Sequence, residues 1–482
     1  MQVVGLDERA RQLVGQQAPH ARLAGPGHPH HHDMHRPILP LVGPTACEEG
    51  SNYDPAVRSL VVDTTPLRIS PAFRRLWWGL AVSNLGTQLT VVAVGLQVYQ
   101  ITGSTLTVGV LGLFAFVPLV VFGLYGGAIV DHYDRRRVAL VASLVGWGVT
   151  LVLAVQGWLG NEHVGLLFAL VAAQSGANAV SSPARGAIIP RLLEPRLLPA
   201  ANALQAIGMQ IALTVGPLLG ATLASIDFGL AYTVDAVLFT AALFAVFRLP
   251  PVPPEPSPDR RERAGLAAVV DGLRYLSTQP NVRMTFAVDI AAMVLAMPRV
   301  VFPAVGIWYL GGGATTTGIL TAALAVGAVT SGLFSGGLAR VRWQGRVISW
   351  AITGWGLSIV AFGLVLVLVG RDKPEQVLWG ALAIACCTLV AAGASDEVSA
   401  IFRQTILQTA TPDAMRGRLQ GVFIVVVAGG PRLGDLFIGT MSSWVGEAWA
   451  VVIGGLLCVT VLWVLVRTQR TFWRYDGHRP TP

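Results

Sequence analysis

The stretch Leu106–Val130, LTVGVLGLFAFVPLVVFGLYGGAIV, carries no charged residue and is followed at once by Asp131–Arg137, DHYDRRR. A helix needs about twenty apolar residues to cross the hydrocarbon core of a bilayer, and this stretch is longer than that. Arginines directly after a spanning segment are typical of a loop on the cytoplasmic side. These features together predict a membrane-spanning helix that runs toward the cytoplasm.

Apolar stretches of this kind recur along the whole chain. Twelve of them have spanning length: Leu76–Tyr99, Leu106–Val130, Val138–Leu159, Val164–Ala184, Leu198–Ala224, Leu230–Phe247, Val282–Ile307, Thr316–Ala339, Val347–Val369, Val377–Ile401, Leu419–Val445 and Ala448–Leu465. They are too long and too continuous for barrel strands, which alternate over about ten residues. We therefore predict an all-α integral membrane protein with twelve transmembrane helices.

The composition agrees with lipid as the surrounding solvent. The chain has 482 residues, of which 53% are hydrophobic and 12% are charged, against roughly 25% charged in an average soluble protein. A net charge of +8 can indicate nucleic-acid binding, but the arginines lie in short clusters between apolar runs, which excludes that class. The cysteines within these runs, Cys386, Cys387 and Cys458, lack metal or disulfide spacing, so we predict no metal site.

The distribution of cations between loops predicts the orientation. The loops after odd-numbered spans carry only Arg371 and Lys373, whereas the loops after even-numbered spans and both flanks are rich in arginine. The positive-inside rule then places both termini in the cytoplasm of a multi-pass protein of the bacterial inner membrane.

Two segments fall outside the spans. Residues 1–70 include a histidine cluster, Gly27–His35; they are a disordered cytoplasmic leader, residues upstream of the true start, or a Zn²⁺ or Ni²⁺ site. Pro250–Asn281 is a proline-stiffened linker with a short amphipathic helix near Ala264–Thr278. The predicted domains are a leader (1–70), a first six-helix bundle (71–249), a linker (250–281), a second bundle (282–467) and a cytoplasmic tail (468–482).

The two halves are related by an internal repeat. Glycines and leucines of span two match those of span eight at an offset of 209 positions: Gly109 with Gly318, Leu111 with Leu320, Gly123 with Gly332, Leu124 with Leu333, Gly127 with Gly336. Further on the offset is 218, which relates Arg185 to Arg403 and Gly216 to Gly434. Duplicated bundles with a site at their interface are the architecture of alternating-access transporters, and the repeat predicts two pseudo-symmetric six-helix bundles.

The loop after span two resembles a known signature. Gly127-Ala-Ile-Val-Asp131-His-Tyr-Asp-Arg135-Arg136-Arg137 is similar to the G-x-x-x-D-R-x-G-R-R/K motif of the major facilitator superfamily, with His132 and Asp134 as departures. The resemblance implies the major facilitator fold. It also implies a cytoplasmic gate built from Gly127, Asp131, Arg135 and Arg136, with Arg185 and its repeat partner Arg403.

Asp131 can act as such a gate because it ends span two. There its carboxylate can face the positive N-terminus of a neighbouring helix and Arg185. The alternative is a loop that only sets topology. In span five, Gly216-Pro217-Leu-Leu-Gly220-Ala221 resembles the G-P-x-x-G-G motif of the antiporter branch, in which proline kinks the helix.

A closer resemblance covers most of residues 68–470. The segments Pro183–Leu204, Met297–Pro303 and Gln408–Arg418 are similar to the enterobactin-exporter group and its actinobacterial, Tap-like drug-efflux relatives. This implies export of a siderophore or an amphipathic drug, driven by proton entry, by a monomer with no cofactor beyond the proton gradient. An importer or facilitator of a small metabolite is the alternative.

Charged side chains inside the spans are the candidates for coupling, because charge in a membrane is costly. They are Asp235, Asp289, Asp396, Glu397 and Asp435, with Arg299 and Arg432 as charge partners. Asp289 and Asp435 fit a proton carrier best; the alternative for each is a static ion pair. We expect Arg299 to meet Asp435 or an anionic substrate group, and Asp289 to meet groups of span ten.

Neutral polar residues of the first half are candidates for the cavity wall. They are Asn84, Thr87 and Gln88 in span one and Gln174 and Asn178 in span four. The superfamily's arginine in span four is absent, and Ala172 stands near its place. Neither a catalytic cluster nor a G-x-x-x-x-G-K-S/T loop occurs in the sequence, so we predict neither an enzyme nor an ATP-driven pump.

Overall fold

The computed structural model describes residues 63–253, 266–334, 341–411 and 413–477. Only the backbone is described at 124–132, 199, 266–269, 413–418, 420, 421, 423–425 and 428. Most of the predicted leader, including the histidine cluster Gly27–His35, lies outside these ranges.

The described residues are almost entirely helical. The long helices are α1 (Pro71–Thr102), α2 (Thr105–His132), α3 (Arg135–Trp158), α4 (Val164–Leu192), α5 (Leu198–Ile226), α6 (Phe228–Phe247), α7 (Pro280–Leu295), α8 (Gly313–Leu333), α9 (Gln344–Val369), α10 (Trp379–Thr409), α11 (Asp413–Val445) and α12 (Glu447–Thr468). Short helices lie at Thr65–Ile69, Leu266–Thr278, Phe302–Trp308 and Arg470–Trp473, with 3₁₀ turns at Pro195–Leu197 and Arg299–Val301.

Eleven spans are long and apolar enough to cross a membrane among the described residues, and α11, with 33 residues, adds the twelfth helix. Large apolar side chains stand on the outside of these helices, as lipid contact requires: Phe334 is 84% exposed and Leu368 is 86% exposed. The all-α, twelve-helix membrane fold predicted from the sequence is confirmed.

Helix ends follow local chemistry. The Ser70 hydroxyl accepts a hydrogen bond from the Phe73 amide at 3.2 Å, and Pro71 occupies the first helical position of α1. Gly103 then ends α1 with a φ of 61°, a left-handed conformation that glycine adopts without a Cβ penalty. The turn from α1 into α2 is therefore set by the two residues between these helices.

Span seven departs from the prediction of a continuous helix over Val282–Ile307. α7 ends at Leu295, the chain passes through the turn Arg299–Val301, and a short helix continues from Phe302. Pro298 causes the break, because proline has no amide hydrogen and disfavours helical backbone in the residue before it. The break leaves Arg299 in the middle of the span.

The bundles have matching packing. In the first, α2 packs on α4, α3 on α4 and α6, and α1 on α5 and α6; in the second, α8 packs on α10, α9 on α10 and α12, and α7 on α11 and α12. Between the bundles, α2 packs on α11 and α5 packs on α8. The repeat relates α2 to α8 and α5 to α11, so these two contacts are equivalent. They show the pseudo-symmetry that the repeat predicts.

Small residues allow the bundles to approach closely. A methyl group added at Gly318 of α8 would lie 3.0 Å from the Pro217 carbonyl oxygen of α5. One added at Gly112 of α2 would lie 3.3 Å from the Arg432 carbonyl oxygen of α11. Larger side chains at either position would force the two bundles apart.

The ends of the spans define two faces. We call the arginine-rich face the side on which α2 meets α3 and α6 meets the linker, and the opposite face the side on which α1 meets α2 and α11 meets α12. On the arginine-rich face the C-terminal segment folds back, because Arg342 pairs with Asp476 at 2.9 Å and Tyr475 is buried.

Candidate functional site

Arg403 of α10 forms a buried ion pair with Asp289 of α7. The same guanidinium also reaches Asp396, one α10 carboxylate oxygen lying 3.4 Å from Nη2. Asp289 and Arg403 are 4% and 5% exposed, and within the described residues the second Asp289 oxygen has no hydrogen-bond partner. The structure thus brings Asp289 to span-ten groups, as expected, and joins α7 to α10 through charge.

A second charged group surrounds the break in span seven. Arg299 is exposed although its chain neighbours Pro298 and Val300 are buried. It is attracted electrostatically by Asp435 and Asp396 and repelled by Arg432. Neither an ion pair nor a hydrogen bond joins Arg299 to Asp435 among the described residues, so their expected meeting stays a prediction.

Asp435 lies where α11 packs against α2 of the other bundle. A methyl group added at Gly112 would lie 3.4 Å from the Asp435 carboxylate, and Gly109 faces the Asp435 main chain. A charge change at Asp435 therefore acts directly on an inter-bundle contact. Glu397 turns instead toward α8, with its carboxylate oxygen 3.9 Å from the Cβ position of Gly332, so the adjacent acids Asp396 and Glu397 have different neighbours.

Asp235 forms a separate polar site in the first bundle. The Thr90 hydroxyl of α1 donates a hydrogen bond to Asp235 Oδ2 of α6 at 2.6 Å, and Asp235 is 1% exposed. Oδ1 has no partner among the described residues and packs against Gly86, one turn before Thr90. The sequence analysis missed Thr90; its only sequence indication is the spacing of four residues from Gly86, which puts both on one helix face.

The cavity candidates of the first bundle are distributed over two helices. Asn84, Thr87 and Gln88 of α1 are partly exposed, and the Thr87 hydroxyl donates to its own helix at Ser83 O, 3.0 Å away. Gln174 and Asn178 of α4 are partly exposed and exposed, respectively. No hydrogen bond joins the α1 set to the α4 set within the described residues.

The antiporter-like segment of α5 packs on α1. Methyl groups added at Gly216 and Gly220 would lie 2.6 Å from Gln88 Cβ and 2.9 Å from Leu89 Cα. Pro217 lies between these glycines, inside the continuous helix Leu198–Ile226. Because Gly216 and Gly220 are four residues apart, both face α1, and their lack of a side chain allows α5 to approach it closely.

The structure describes the side chains of only some of the predicted gate residues. At Gly127 and Asp131 only the backbone is described. Arg135 donates to Ala187 O at 3.1 Å, and Arg136 donates to Phe247 O at 2.5 Å. These hydrogen bonds hold the C-terminal parts of α4 and α6 against the loop between α2 and α3.

Asp134 has a role that the sequence analysis overlooked. Its Oδ1 accepts a hydrogen bond from the Arg137 amide and caps α3, while Oδ2 accepts one from the Val252 amide of the linker, both at 3.0 Å. The departure from glycine at this position therefore ties the linker to the loop after span two. Its position before an arginine run and an apolar run is an N-cap pattern.

The repeat relates two arginines with different partners. Arg185 Nη2 donates to Asn178 Oδ1 at 3.3 Å, seven residues earlier in α4. Arg403 makes the equivalent contact with Asp396 in α10. Positions 178 and 396 share the 218-residue offset, so the second bundle has a carboxylate where the first has an amide.

A further cluster on the opposite face joins both bundles. The Thr105 hydroxyl, at the start of α2, donates to Glu447 Oε1 at 3.0 Å, and the Tyr309 hydroxyl donates to Glu447 Oε2 at 3.2 Å. Arg371 lies 3.8 Å from Glu447, which is 5% exposed. Burial and the nearby Glu447 charge raise the pKa of Tyr309 to about 12, so its hydroxyl stays a donor. In the sequence Glu447 falls between the predicted spans eleven and twelve, and it was not predicted as a site residue.

Comparisons with known proteins agree with this architecture. The family model described as transmembrane secretion effector matches residues 62–476. The enterobactin exporter EntS of Citrobacter koseri is 27% identical over 438 residues, covering 88% of this chain and 98% of that protein. EntS of Escherichia coli K12 is 28% identical over 432 residues, covering 86% of this chain and 97% of that protein.

Solved structures share the fold at low sequence identity. A POT family transporter in complex with 5-aminolevulinic acid has a TM-score of 0.64 and 12% identity, covering 84% of this chain and 97% of that one. A bacterial homologue of the iron transporter ferroportin in an inward-facing state has a TM-score of 0.61 and 13% identity, covering 85% and 99%. From its fold and the match over residues 62–476, the chain belongs to the transmembrane secretion effector family of major facilitator transporters.

Proposed function

We propose that this efflux transporter exports a small amphipathic molecule, a siderophore or a drug, by proton antiport through alternating access. The observation that carries the proposal is the buried contact of Arg403 with Asp289 and Asp396. Charges buried in a membrane are costly and are retained where they perform a function. The similarity to the enterobactin exporters supports the direction of transport and the cargo class.

Proton uptake by Asp289 is the proposed coupling step. In its ionised form Asp289 holds Arg403 and so links α7 to α10. A proton on Asp289 cancels that charge, and Arg403 keeps Asp396, at 3.4 Å, as its remaining partner. The change weakens one inter-helix contact without leaving the guanidinium unpaired, so the two protonation states favour different packings of the second bundle.

Asp435 would transmit a change in charge to the other bundle. Its carboxylate faces Gly112 of α2 and interacts electrostatically with Arg299 and Arg432. Cargo that places a cation or a hydrogen-bond donor against the ionised Asp435 carboxylate would compete with a proton for that group. Binding of cargo and binding of protons are opposed at such a site, as antiport requires.

The opposite face supplies the proposed closing contact of the cycle. Thr105 of the first bundle and Glu447 of the second are joined by a buried hydrogen bond. We assign the arginine-rich face to the cytoplasm by the positive-inside rule, which puts Thr105 and Glu447 on the outer side. This contact must break whenever the transporter opens outward.

Transport by the full-length protein in proteoliposomes tests the proposal. The probes are enterobactin and ethidium at equal concentrations on both sides of the membrane, with a proton gradient directed toward the arginine-rich face. We expect at least one probe to accumulate on the opposite side, against its own gradient, and Asp289→Asn to reduce this accumulation strongly. Asp372→Asn, at an exposed loop position, should transport like the wild type.

Two outcomes would overturn parts of the proposal. Movement of both probes only down their gradients, unaffected by the proton gradient, contradicts antiport. Movement toward the arginine-rich face driven by proton flow in the same direction instead indicates import.

A further inference from the structure

A groove on the outside of the first bundle has the polarity of a single phospholipid. It has a volume of about 630 Å³ and lies over α4 between α2 and α3. Its walls are apolar along most of its length, and its polar lining residues, Tyr133, Asp134 and Arg137, stand together at the arginine-rich end. The groove therefore has one charged end and one hydrocarbon end.

The depth of the groove corresponds to one leaflet. It extends along α3 from Arg137 to Val145, eight residues or about 12 Å at 1.5 Å per residue, which is close to half of a hydrocarbon core about 30 Å thick. Val141 and Val145 are 61% and 52% exposed. Apolar side chains exposed at this depth face acyl chains, because no water is present there.

The floor of the groove is open because α4 carries small residues there. Ala173, Gly176 and Ala177 line it. The Phe122 ring packs directly on Gly176, where an added methyl group would lie 2.9 Å away. No polar side chain lines the groove beyond its arginine-rich end within the described residues, so a cargo with several polar groups would leave them unpaired.

The mouth of the groove is suited to an anion. Arg135 and Arg136 are occupied by the carbonyl groups of Ala187 and Phe247. Both oxygens of Asp134 accept main-chain hydrogen bonds, whereas Arg137 is exposed. Arg137 also lies in the first turn of α3, whose amide dipoles favour negative charge.

We propose that this groove binds an anionic phospholipid of the leaflet on the arginine-rich face, with its phosphate at Arg137 and one acyl chain along Val141 and Val145. The site is separate from the charged residues between the bundles. It does not depend on the direction of transport or on proton coupling.

Native mass spectrometry of the detergent-purified, full-length protein tests the site. Phosphatidylglycerol and phosphatidylcholine with the same palmitoyl and oleoyl chains are titrated separately. An arginine near a membrane surface favours an anionic headgroup by about fivefold, so we expect that preference in the first binding step. Arg137→Gln should remove the preference, and Val141→Trp or Val145→Trp should weaken binding of both lipids.

Matched controls separate the groove from the rest of the surface. Arg75→Gln removes an exposed arginine at the start of α1, and Val152→Trp adds the same bulk to an exposed position of α3 outside the groove. Neither should change lipid binding. Thermal unfolding of each variant establishes that the exposed substitutions leave the fold intact.

Specific outcomes would overturn the proposal. Wild-type affinity for phosphatidylglycerol in Arg137→Gln contradicts the assignment of the phosphate. Unchanged lipid binding in both tryptophan variants contradicts the groove itself. Displacement of phosphatidylglycerol by enterobactin or ethidium, with loss of cargo binding in Val141→Trp, assigns the groove to cargo instead.

Discussion

Arg403 and Asp289 are 114 positions apart in the chain (403 − 289) and form a buried ion pair between α10 and α7. Their side chains are 6% and 5% exposed. An ion pair so far from water is sensitive to the removal of one partner, because the remaining charge is left buried. This relationship makes the pair both a structural contact and the proposed proton site.

Removing Arg403 alone should cost more than removing both members of this pair, because Asp289 would lose its partner whereas Arg403 also has Asp396. Arg403→Gln alone leaves Asp289 unpaired, and we expect a loss of about 3 kcal/mol in the free energy of unfolding. Combining it with Asp289→Asn should restore much of that loss. Reversible unfolding in mixed micelles measures both variants against the wild type.

The exposed pair Arg196–Glu194, at 2.7 Å with side chains 75% and 63% exposed, is the control. Its removal by Glu194→Gln should change stability by less than about 1 kcal/mol. Equal losses for the buried and the exposed pair would contradict a stabilising role for the buried contact of Asp289 with Arg403.

The contact between Thr105 and Glu447 should control opening of the opposite face. Thr105→Val removes a hydrogen bond to a carboxylate, worth about 1.5 kcal/mol or more, and should shift the open population about tenfold. Spin labels at Glu162→Cys and Glu375→Cys, one on each bundle, report the distance in a variant without its native cysteines. Thr102→Val is the matched control, because the Thr102 hydroxyl donates to Val98 and accepts from the Ser104 amide, both within the first bundle. An unchanged distance distribution in Thr105→Val contradicts a closing role.

The Thr90–Asp235 hydrogen bond should stabilise the first bundle. Thr90→Val removes the hydrogen bond at 2.6 Å and leaves the buried carboxylate of Asp235 without its described partner, which should lower the unfolding free energy by about 2 kcal/mol. Thr87→Val, whose hydroxyl bonds its own helix at Ser83, should have a much smaller effect. Equal stabilities of these two valine variants would argue against the contact.

Tyr309 should make stability depend on alkaline pH. Burial and Glu447 raise its pKa to about 12, above the ordinary value of about 10. A raised pKa means that the folded state holds the proton more tightly, so its stabilisation is present below pH 10 and is lost as the pH rises toward 12. Melting temperatures from pH 9 to 12 should fall more steeply for the wild type than for Tyr309→Phe. Parallel curves would contradict this.

The fold was predictable because its determinants are local and repeated. Apolar length gives the spans, and the 209-residue offset between Gly109 and Gly318 predicts the duplication. The break at Pro298 was missed because the apolar pattern continues through it, although the proline itself was visible. Hydropathy reports the environment of a segment, not the continuity of its backbone.

The site was predictable only as a set of residue types. Charge in a membrane identified Asp289, Asp435 and Asp235, but the partners of Asp289 and Asp235 come from other helices. Thr90 and Glu447 escaped notice because a threonine in a span and an acid beside a loop are unremarkable alone. Helix packing decides which side chains meet, and periodicity within one helix does not contain that information.

The central claim is that cargo export and proton entry are coupled through Asp289. The most direct measurement follows proton movement in proteoliposomes, with a pH-sensitive dye trapped inside, when a cargo gradient of enterobactin or ethidium is imposed without a proton gradient. The account predicts that outward cargo flow drives protons in the opposite direction and that Asp289→Asn abolishes this proton movement. Cargo flow with no change in internal pH in the wild type, or unchanged proton movement in Asp289→Asn, would contradict it.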